Sequence, residues 1–366
     1  MVYKNEIVKR KFFGYLRESK GFSEKTIGCY EGAILRWQDF SNNADFAVFN
    51  KTRAGQFKEW LRARKKVKLP ESIGLSYCYD TLRFLKTFFG WLSKQAGYKR
   101  KIDPMAIEYL NLPKADARIA TQPRKKEIPS LEEVKAVIES IKGKSEAEIR
   151  DKAMISLMFL TGARISAIKT LRMKCLDREK LIIYQDPTFG VETKFSKRIV
   201  TPLVSPSYED PLKYFLEWFD YLEKQKKFEP NDPLFPATKI ENGKENLSYY
   251  NTGEVKPIFW KSSSSPRRIF EKRFEQAGVR PYHPHTLRHL FIERMTKLPL
   301  TEEQKKAISQ SLGHENVGTT FGSYGYGSID EERQIDIIRN IDFTGKKNED
   351  TDLLKKIKEL IQSKQP

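Results

Sequence analysis

The sequence predicts a mainly α-helical protein of two domains, with a small β-sheet confined to the second. Three observations predict it. Apolar residues recur at helical spacing through residues 5–95 and again after Ser130. The stretch 180–203 breaks that period with β-branched residues, in Leu181-Ile182-Ile183-Tyr184 and Arg198-Ile199-Val200-Thr201-Pro202-Leu203. Charge is also uneven: residues 1–128 hold 27 basic and 13 acidic residues, the rest 40 and 35. At 366 residues, 39% hydrophobic and 12% aromatic, the chain can bury two cores.

The first domain, residues 1–110, is expected to hold four helices. Ile7, Val8, Phe12, Tyr15 and Leu16 form the first stripe, which Gly21 ends. Ser23 caps the second helix and Thr52 the third, which carries Phe57, Trp60 and Leu61. The fourth, about 74–95, turns Leu82, Leu85, Phe88, Phe89, Trp91 and Leu92 inward. Their helical spacing marks these aromatics as core rather than platforms for stacked bases. Arg83 and Lys86 lie on the other side, and a dense run of Arg62, Arg64, Lys65, Lys66 and Lys68 follows the third helix.

Residues 111–128 read as a basic linker, with Pro113, Pro123 and Arg124-Lys125-Lys126 and little periodicity. The formal charge is +19, and its concentration in the first third points to a polyanion-binding module. Solubility alone does not require charge to be gathered there. No apolar run reaches the roughly 20 residues of a membrane span. The N-terminus lacks the apolar core of a signal peptide. Cys29, Cys78 and Cys175 have no ligand spacing and read as buried thiols in a reducing compartment, so the expected setting is cytoplasmic.

The second domain, residues 129–345, opens with Ser130 and Glu133 at capping-box spacing. A strongly apolar helix over about 148–162 ends at Thr161-Gly162-Ala163-Arg164, where a new helix starts. An arginine at such a junction suits oxyanion binding, although tying carbonyls at a helix end is the commoner role. Between the two strands, Thr193-Lys194-Phe195-Ser196-Lys197-Arg198 forms a hairpin that displays lysines. Residues 206–225 predict an aromatic helix, and residues 226–264 irregular structure. Ser265-Pro266 starts a further helix by N-cap and N1 logic, ending at Gly278. Residues 346–366 form a tail with Leu353, Leu354, Ile357, Leu360 and Ile361 at helical spacing.

All four histidines lie between His283 and Tyr324: His283, His285, His289 and His314. His285 and Arg288 are spaced i, i+3, so a helix starting near Pro284 sets both on one face. His314 precedes a short helix that Thr319 or Thr320 can cap, and Tyr324 follows among glycines. A metal site built from the four imidazoles is one reading, but the spacing is no zinc signature.

Thr161-Gly162-Ala163-Arg164, Lys194 in its hairpin, His285-Thr286-Leu287-Arg288-His289, Leu312-Gly313-His314 and Thr319-Thr320 before Tyr324 occur in one order. That order resembles the tyrosine recombinases of the phage-integrase type, over roughly residues 5–340. The resemblance implies a two-domain clamp, a helical core-binding domain joined to an integrase-type catalytic domain. It implies a site-specific DNA recombinase that cuts and rejoins strands through a 3′-phosphotyrosyl intermediate and a Holliday junction. Arg164 and Arg288 would clamp the phosphate oxygens, Tyr324 would attack phosphorus, and Lys194 would protonate the leaving 5′-oxygen. His285 would assist proton transfer at the tyrosine, and His314 would donate a hydrogen bond to the phosphoryl group. No cofactor and no metal are implied. Partners would be double-stranded DNA, further copies of the chain in a tetramer, and an accessory directionality protein. The tail would dock on a neighbouring copy or on its own domain.

The sequence departs from the family pattern in three places. Ala167 stands where an acidic residue is usual. Lys194 follows Thr193 rather than glycine, which leaves Lys197 as a rival. Tyr324 lies one residue further from His314 than is usual, and its rival Tyr326 lies further still. Two alternatives stay open at the level of sequence. One is a nicking and closing enzyme like the type IB topoisomerases; the other is a catalytically silent DNA-binding relative.

Overall fold

In a computed structural model of the chain, residues 2–64, 74–122, 127–204, 208–242 and 249–321 are described. The chain divides into two compact units, Met1–Pro123 and Arg124–Pro366.

The first unit is helical. It contains α1 (Val2–Glu18), α2 (Glu24–Ser41), α3 (Lys51–Ala63), α4 (Leu75–Leu92), the single turn α5 (Pro104–Ile107) and α6 (Lys114–Thr121). Ser23 caps α2, its hydroxyl accepting from the Thr26 amide at 3.3 Å. Asn50, not Thr52, caps α3, because the Asn50 side chain reaches the Arg53 amide at 2.9 Å. Trp37 is fully buried, with its ring centre 5.0–5.4 Å from those of Phe40, Phe49, Phe57 and Phe89. The aromatics therefore pack the bundle; a Trp37→Ala cavity there would cost about 3–5 kcal/mol. The expected linker is partly wrong: α6 occupies residues 114–121, and Ser76 donates to the Ala120 carbonyl at 2.7 Å. Short, weakly periodic sequence concealed a helix that buries Ala120 and packs Ala117 against the core. Cys78 and Cys175 are buried as expected, but Cys29 is exposed, on the outer side of α2. Residues 124–126 and the tail 346–366 lie outside the described residues.

The second unit is built around α8 (Glu146–Thr161), whose second half, from Ala153, is buried on nearly every side and mostly apolar, while Arg150 and Asp151 are buried as an ion pair at 2.7 Å. The capping box of Ser130 and Glu133 starts α7 (Leu131–Ser140) as expected. After the short α9 (Ile165–Ile168) comes an antiparallel sheet in the order β1 (Leu176–Asp177), β2 (Ile182–Gln185), β3 (Ile199–Pro202). In its register Ile182 faces Pro202 and Gln185 faces Ile199. α10 (Asp210–Lys224) is the aromatic helix and packs on α8. The stretch read as irregular instead holds a second hairpin, β4 (Thr238–Asn242) with β5 (Tyr249–Val255). Polar residues such as Lys239, Glu241 and Asn242 gave it no alternating apolar pattern to read. Glu146 fastens this hairpin, accepting from the Val255 amide at 2.7 Å and from Tyr221 at 2.6 Å.

The remaining described helices are α11 (Ser264–Gln276), α12 (His285–Thr296), α13 (Glu302–Ser311) and α14 (Val317–Thr320). α11 is preceded by Ser263 as its cap, two residues earlier than Ser265 predicts. α14 is capped by Asn316, whose side chain accepts from the Gly318 amide at 2.8 Å, and not by Thr319 or Thr320.

Candidate active site

Four chain segments converge at the ends of α8, α12 and α13. α8 stops because Gly162 adopts a left-handed φ of +59°. A side chain there would be strained, and its Cβ would stand 3.1 Å from Leu312 Cδ2 and 3.5 Å from Arg288 Cα. That close approach seats α12 against the α8 terminus. Arg164 follows as the residue that opens α9. Its guanidinium makes no hydrogen bond or ion pair among the described residues. Ala167 beside it is buried and offers no carboxylate.

Arg288, in the first turn of α12, is 2% exposed. It donates from Nη1 to the Gly162 carbonyl at 3.0 Å and from Nη2 to the Leu312 carbonyl at 2.6 Å. Nη2 also lies 2.7 Å from His314 Nε2. Arg288 thus ties together the ends of α8 and α13, with its charge held rigidly below the surface. The tie between two carbonyls and the oxyanion role are compatible, since a guanidinium carries five donors.

His314 is placed by Gly313 and by the sheet. Gly313 takes φ +72°, and a Cβ on it would lie 2.4 Å from Ile199 Cδ1. β3 is held to the same turn by Thr201, which donates to the Ser311 carbonyl at 2.8 Å. His314 is itself 8% exposed. Burial pushes its pKa down to about 4, and the charges of Arg288, Arg164 and Lys194 push the same way. The imidazole is therefore neutral at ordinary pH and accepts from Arg288 through Nε2. The sequence-based expectation has His314 donating to a phosphate; in this structure Nε2 is turned to Arg288 as an acceptor.

Lys194 sits in a tight turn, Lys194–Ser196, on the long connection between β2 and β3. Phe195 and Ser196 both adopt left-handed φ, +61° and +51°. Thr193 closes the turn by donating to the Lys197 carbonyl at 2.7 Å. Lys194 Nζ lies 4.9 Å from the centre of the exposed Phe195 ring. The two lysines separate here. Lys197 forms an ion pair with Glu315, whose carboxyl it holds below its ordinary pKa. Lys194 instead places its charge within reach of His314.

His285 begins α12, one turn before Arg288, and is half-buried. Its amide donates to His283 Nδ1 at 3.2 Å, and its ring meets that of His289 edge to face at 5.1 Å. Among the described residues no group of three or more histidine, cysteine or acidic side chains is arranged to hold a metal ion. Tyr324 and Tyr326 lie outside the described residues. Two residues read only as local structure, or not at all, belong to the cluster. Thr320, expected to cap a helix, is fully buried, with Oγ1 2.7 Å from His314 Nδ1. Ser309 is 1% exposed and accepts from Thr320 at 2.9 Å. The available signal was Asn316, a stronger cap than either threonine, which frees Thr320 to turn inward.

The basic candidates of the first unit that lie among the described residues are each engaged. Arg62 pairs with Asp116, Arg64 with Asp39 at 3.3 Å, Arg83 with Asp80 at 3.2 Å and Lys86 with Glu108 at 2.8 Å. These pairs are exposed and individually weak, so a polyanion can displace them. Lys65, Lys66, Lys68, Arg124, Lys125 and Lys126 lie outside the described residues.

Comparison with known proteins identifies the family. Residues 130–326 match the phage integrase family. The chain is 24% identical over 321 residues to the tyrosine recombinase XerC of Lactobacillus delbrueckii subsp. bulgaricus, covering 86% of this chain and 92% of that one. It is 25% identical over 317 residues to the tyrosine recombinase XerD of Listeria innocua, covering 84% and 90%. Among solved structures, the Tn1549 transposon integrase in complex with transposon right end DNA aligns with a TM-score of 0.58 at 16% identity, covering 91% and 98%. A lambda integrase tetramer bound to a Holliday junction aligns at 0.56 and 14%, covering 88% and 78%. The chain belongs to the phage integrase family and is a tyrosine recombinase, a site-specific DNA recombinase.

Proposed function

We propose that the second unit breaks and rejoins DNA at a phosphate held by Arg164, Arg288 and Lys194, with Tyr324 as the nucleophile. The observation that carries this is the gathering of three cations around one buried, neutral imidazole. A phosphodiester is anionic and gains negative charge at its non-bridging oxygens as it is attacked, so a fixed set of donors and charges favours the transition state. Arg288 is preorganised by its carbonyl partners; Arg164 completes a bidentate clamp. The Tyr324 oxygen forms the new bond to phosphorus while the bond to the 5′-oxygen breaks. The phenol proton passes towards His285, and Lys194 gives a proton to the departing oxygen. The 3′-phosphotyrosyl link stores the bond, so a 5′-hydroxyl from another strand reverses the same steps without ATP. In support of this direction of attack, Lys197 is paired with Glu315, whereas Lys194 has no carboxylate partner among the described residues.

The remaining roles follow from charge and from the relatives. The first unit serves as the core-binding domain, with its basic residues on the phosphate backbone. The Tn1549 integrase was solved with transposon DNA and the lambda integrase as a tetramer on a Holliday junction, which supports DNA and self-association as partners. An accessory protein that sets direction belongs to the same reading, as does a tail that docks in cis or in trans. No helix among the described residues is long and apolar enough to cross a membrane. The polarity of cleavage tests the mechanism. End-labelled DNA digested after trapping should carry protein on the 3′ side of the break and a free 5′-hydroxyl; protein on the 5′ side would contradict the roles given to Tyr324 and Lys194.

A further inference from the structure

We propose that Lys169, Thr170 and Glu192 are positioning residues for Lys194: together they fasten the turn that carries it to the end of α9, the helix that Arg164 opens. The inference rests on the proposed role of Lys194 as proton donor but concerns how that lysine is placed. Lys194 needs a tether. Lys194, Phe195 and Ser196 are all exposed, so burial in the core does not fix the turn. Phe195 and Ser196 are also left-handed, at φ +61° and +51°, a conformation that costs free energy in a residue with a side chain. Such a turn keeps its shape only where contacts around it over-determine the backbone.

Those contacts gather at Glu192, just before the turn. Its carboxylate pairs with Lys169 Nζ at 2.6 Å, and its amide donates to Thr170 Oγ1 at 2.9 Å. The Thr170 hydroxyl proton points back into α9, with the Ser166 carbonyl at 3.0 Å and the Ala167 carbonyl at 3.1 Å. At the other end of that short helix the Arg164 carbonyl accepts from the Ala167 amide at 2.9 Å. Val191, on the other side of Glu192, is buried in the core. One backbone bond and one ion pair therefore join the lysine turn to the helix led by Arg164, so two cations meant for one phosphate share a short mechanical path. The Lys169 side chain is 12% exposed and that of Glu192 54%. A pair open to water at one end is screened and adds little to folding. Placement is where it matters, since a shift of about 1 Å at a reacting group can slow a step by about 10²-fold.

The test separates placement of the proton donor from general damage. Covalent trapping is timed with the full-length protein in saturating amount on two nicked substrates, one with the ordinary 5′-oxygen at the break and one with sulfur in its place. A thiolate leaves without a proton, so the sulfur substrate does not need Lys194. Glu192→Gln, which keeps the shape and removes the charge, should slow cleavage of the oxygen substrate about three- to tenfold and leave the sulfur substrate within about twofold of wild type. Lys169→Met should behave alike, and the double variant should be no slower than either single one, because both remove the same pair. Thr170→Val should show the same preference for sulfur. An unchanged rate on oxygen in Glu192→Gln, equal slowing on both substrates, or additive losses in the double variant overturns the proposal. Should Lys169→Met or Thr170→Val fail to fold, Glu192→Gln decides it alone, since its side chain is exposed. Lys194→Ala is run beside them. If sulfur fails to rescue Lys194→Ala, the proton-donor role falls and the tether with it; if sulfur rescues Lys194→Ala but the Glu192→Gln rates show no such preference, the tether alone is wrong.

Discussion

Arg288 and His314 share a hydrogen bond of 2.7 Å between two buried side chains, one permanently charged and one held neutral by burial and by that charge. The pair explains why the two residues act as one unit. Arg288 cannot turn away without stranding the imidazole, and His314 cannot take a proton without repelling the guanidinium.

The first consequence is a pH dependence of stability. The His314 pKa is near 4 in the folded protein, while an unfolded histidine titrates near 6.5. Between these values the unfolded chain binds a proton that the folded chain does not. The contribution is fully present above about pH 6.5 and is lost as pH falls through the folded value, by roughly 3 kcal/mol in all. Burial contributes most to the lowered value, and the charges of Arg288, Arg164 and Lys194 add to it. Urea unfolding followed from neutral to about pH 4.5 should show a steeper loss in the wild type than in His314→Gln; parallel curves would contradict the assigned pKa.

The second concerns Gly313. Gly313→Ala adds a Cβ 2.4 Å from Ile199 Cδ1 in a left-handed backbone, and should destabilise by about 1–3 kcal/mol. Ile199→Val removes the clashing methyl, so the double variant should regain part of the loss. A double variant no more stable than Gly313→Ala would place the whole cost in the backbone rather than in the contact with β3.

A third separates the two lysines. Lys194→Ala should lower cleavage about 10²–10⁴-fold, the usual worth of a general acid. A substrate with sulfur in place of the leaving 5′-oxygen needs no proton and should rescue it. Lys197→Ala, which only breaks the pair with Glu315, should change cleavage little and gain nothing from sulfur. Rescue of Lys197→Ala in place of Lys194→Ala would reverse the assignment.

Much of this site is written locally in the sequence. Thr161-Gly162-Ala163-Arg164 reads as a helix end followed by an arginine, and the left-handed Gly162 is why. His285 and Arg288 read as one helical face, because i, i+3 spacing needs only a helix around it. What the sequence could not show depends on contacts distant along the chain. Arg288 finds its acceptors at Gly162 and Leu312, and Gly313 matters because Ile199 arrives from β3. Thr320 reads as a cap because a threonine beside a short helix is a tolerated one, although Asn316 is the stronger. Only the position of His314 turns it into a hydrogen-bond partner. In the fold, β4 and β5 escaped notice for the opposite reason: their polar strands carry no period, and α8 and α10 supply the anchor through Glu146 and Tyr221.

The central claim is that Tyr324 is the nucleophile of a phosphate site made by Arg164, Lys194 and Arg288, beside His314. A nicked double-stranded substrate that loses its 5′-hydroxyl fragment after cleavage traps the covalent complex. The wild type and Tyr326→Phe should accumulate a protein–DNA adduct stable to denaturation. Tyr324→Phe should bind the same DNA with unchanged affinity and form none, because only the attacking oxygen is lost. Adduct formed by Tyr324→Phe, or lost in Tyr326→Phe alone, would contradict it.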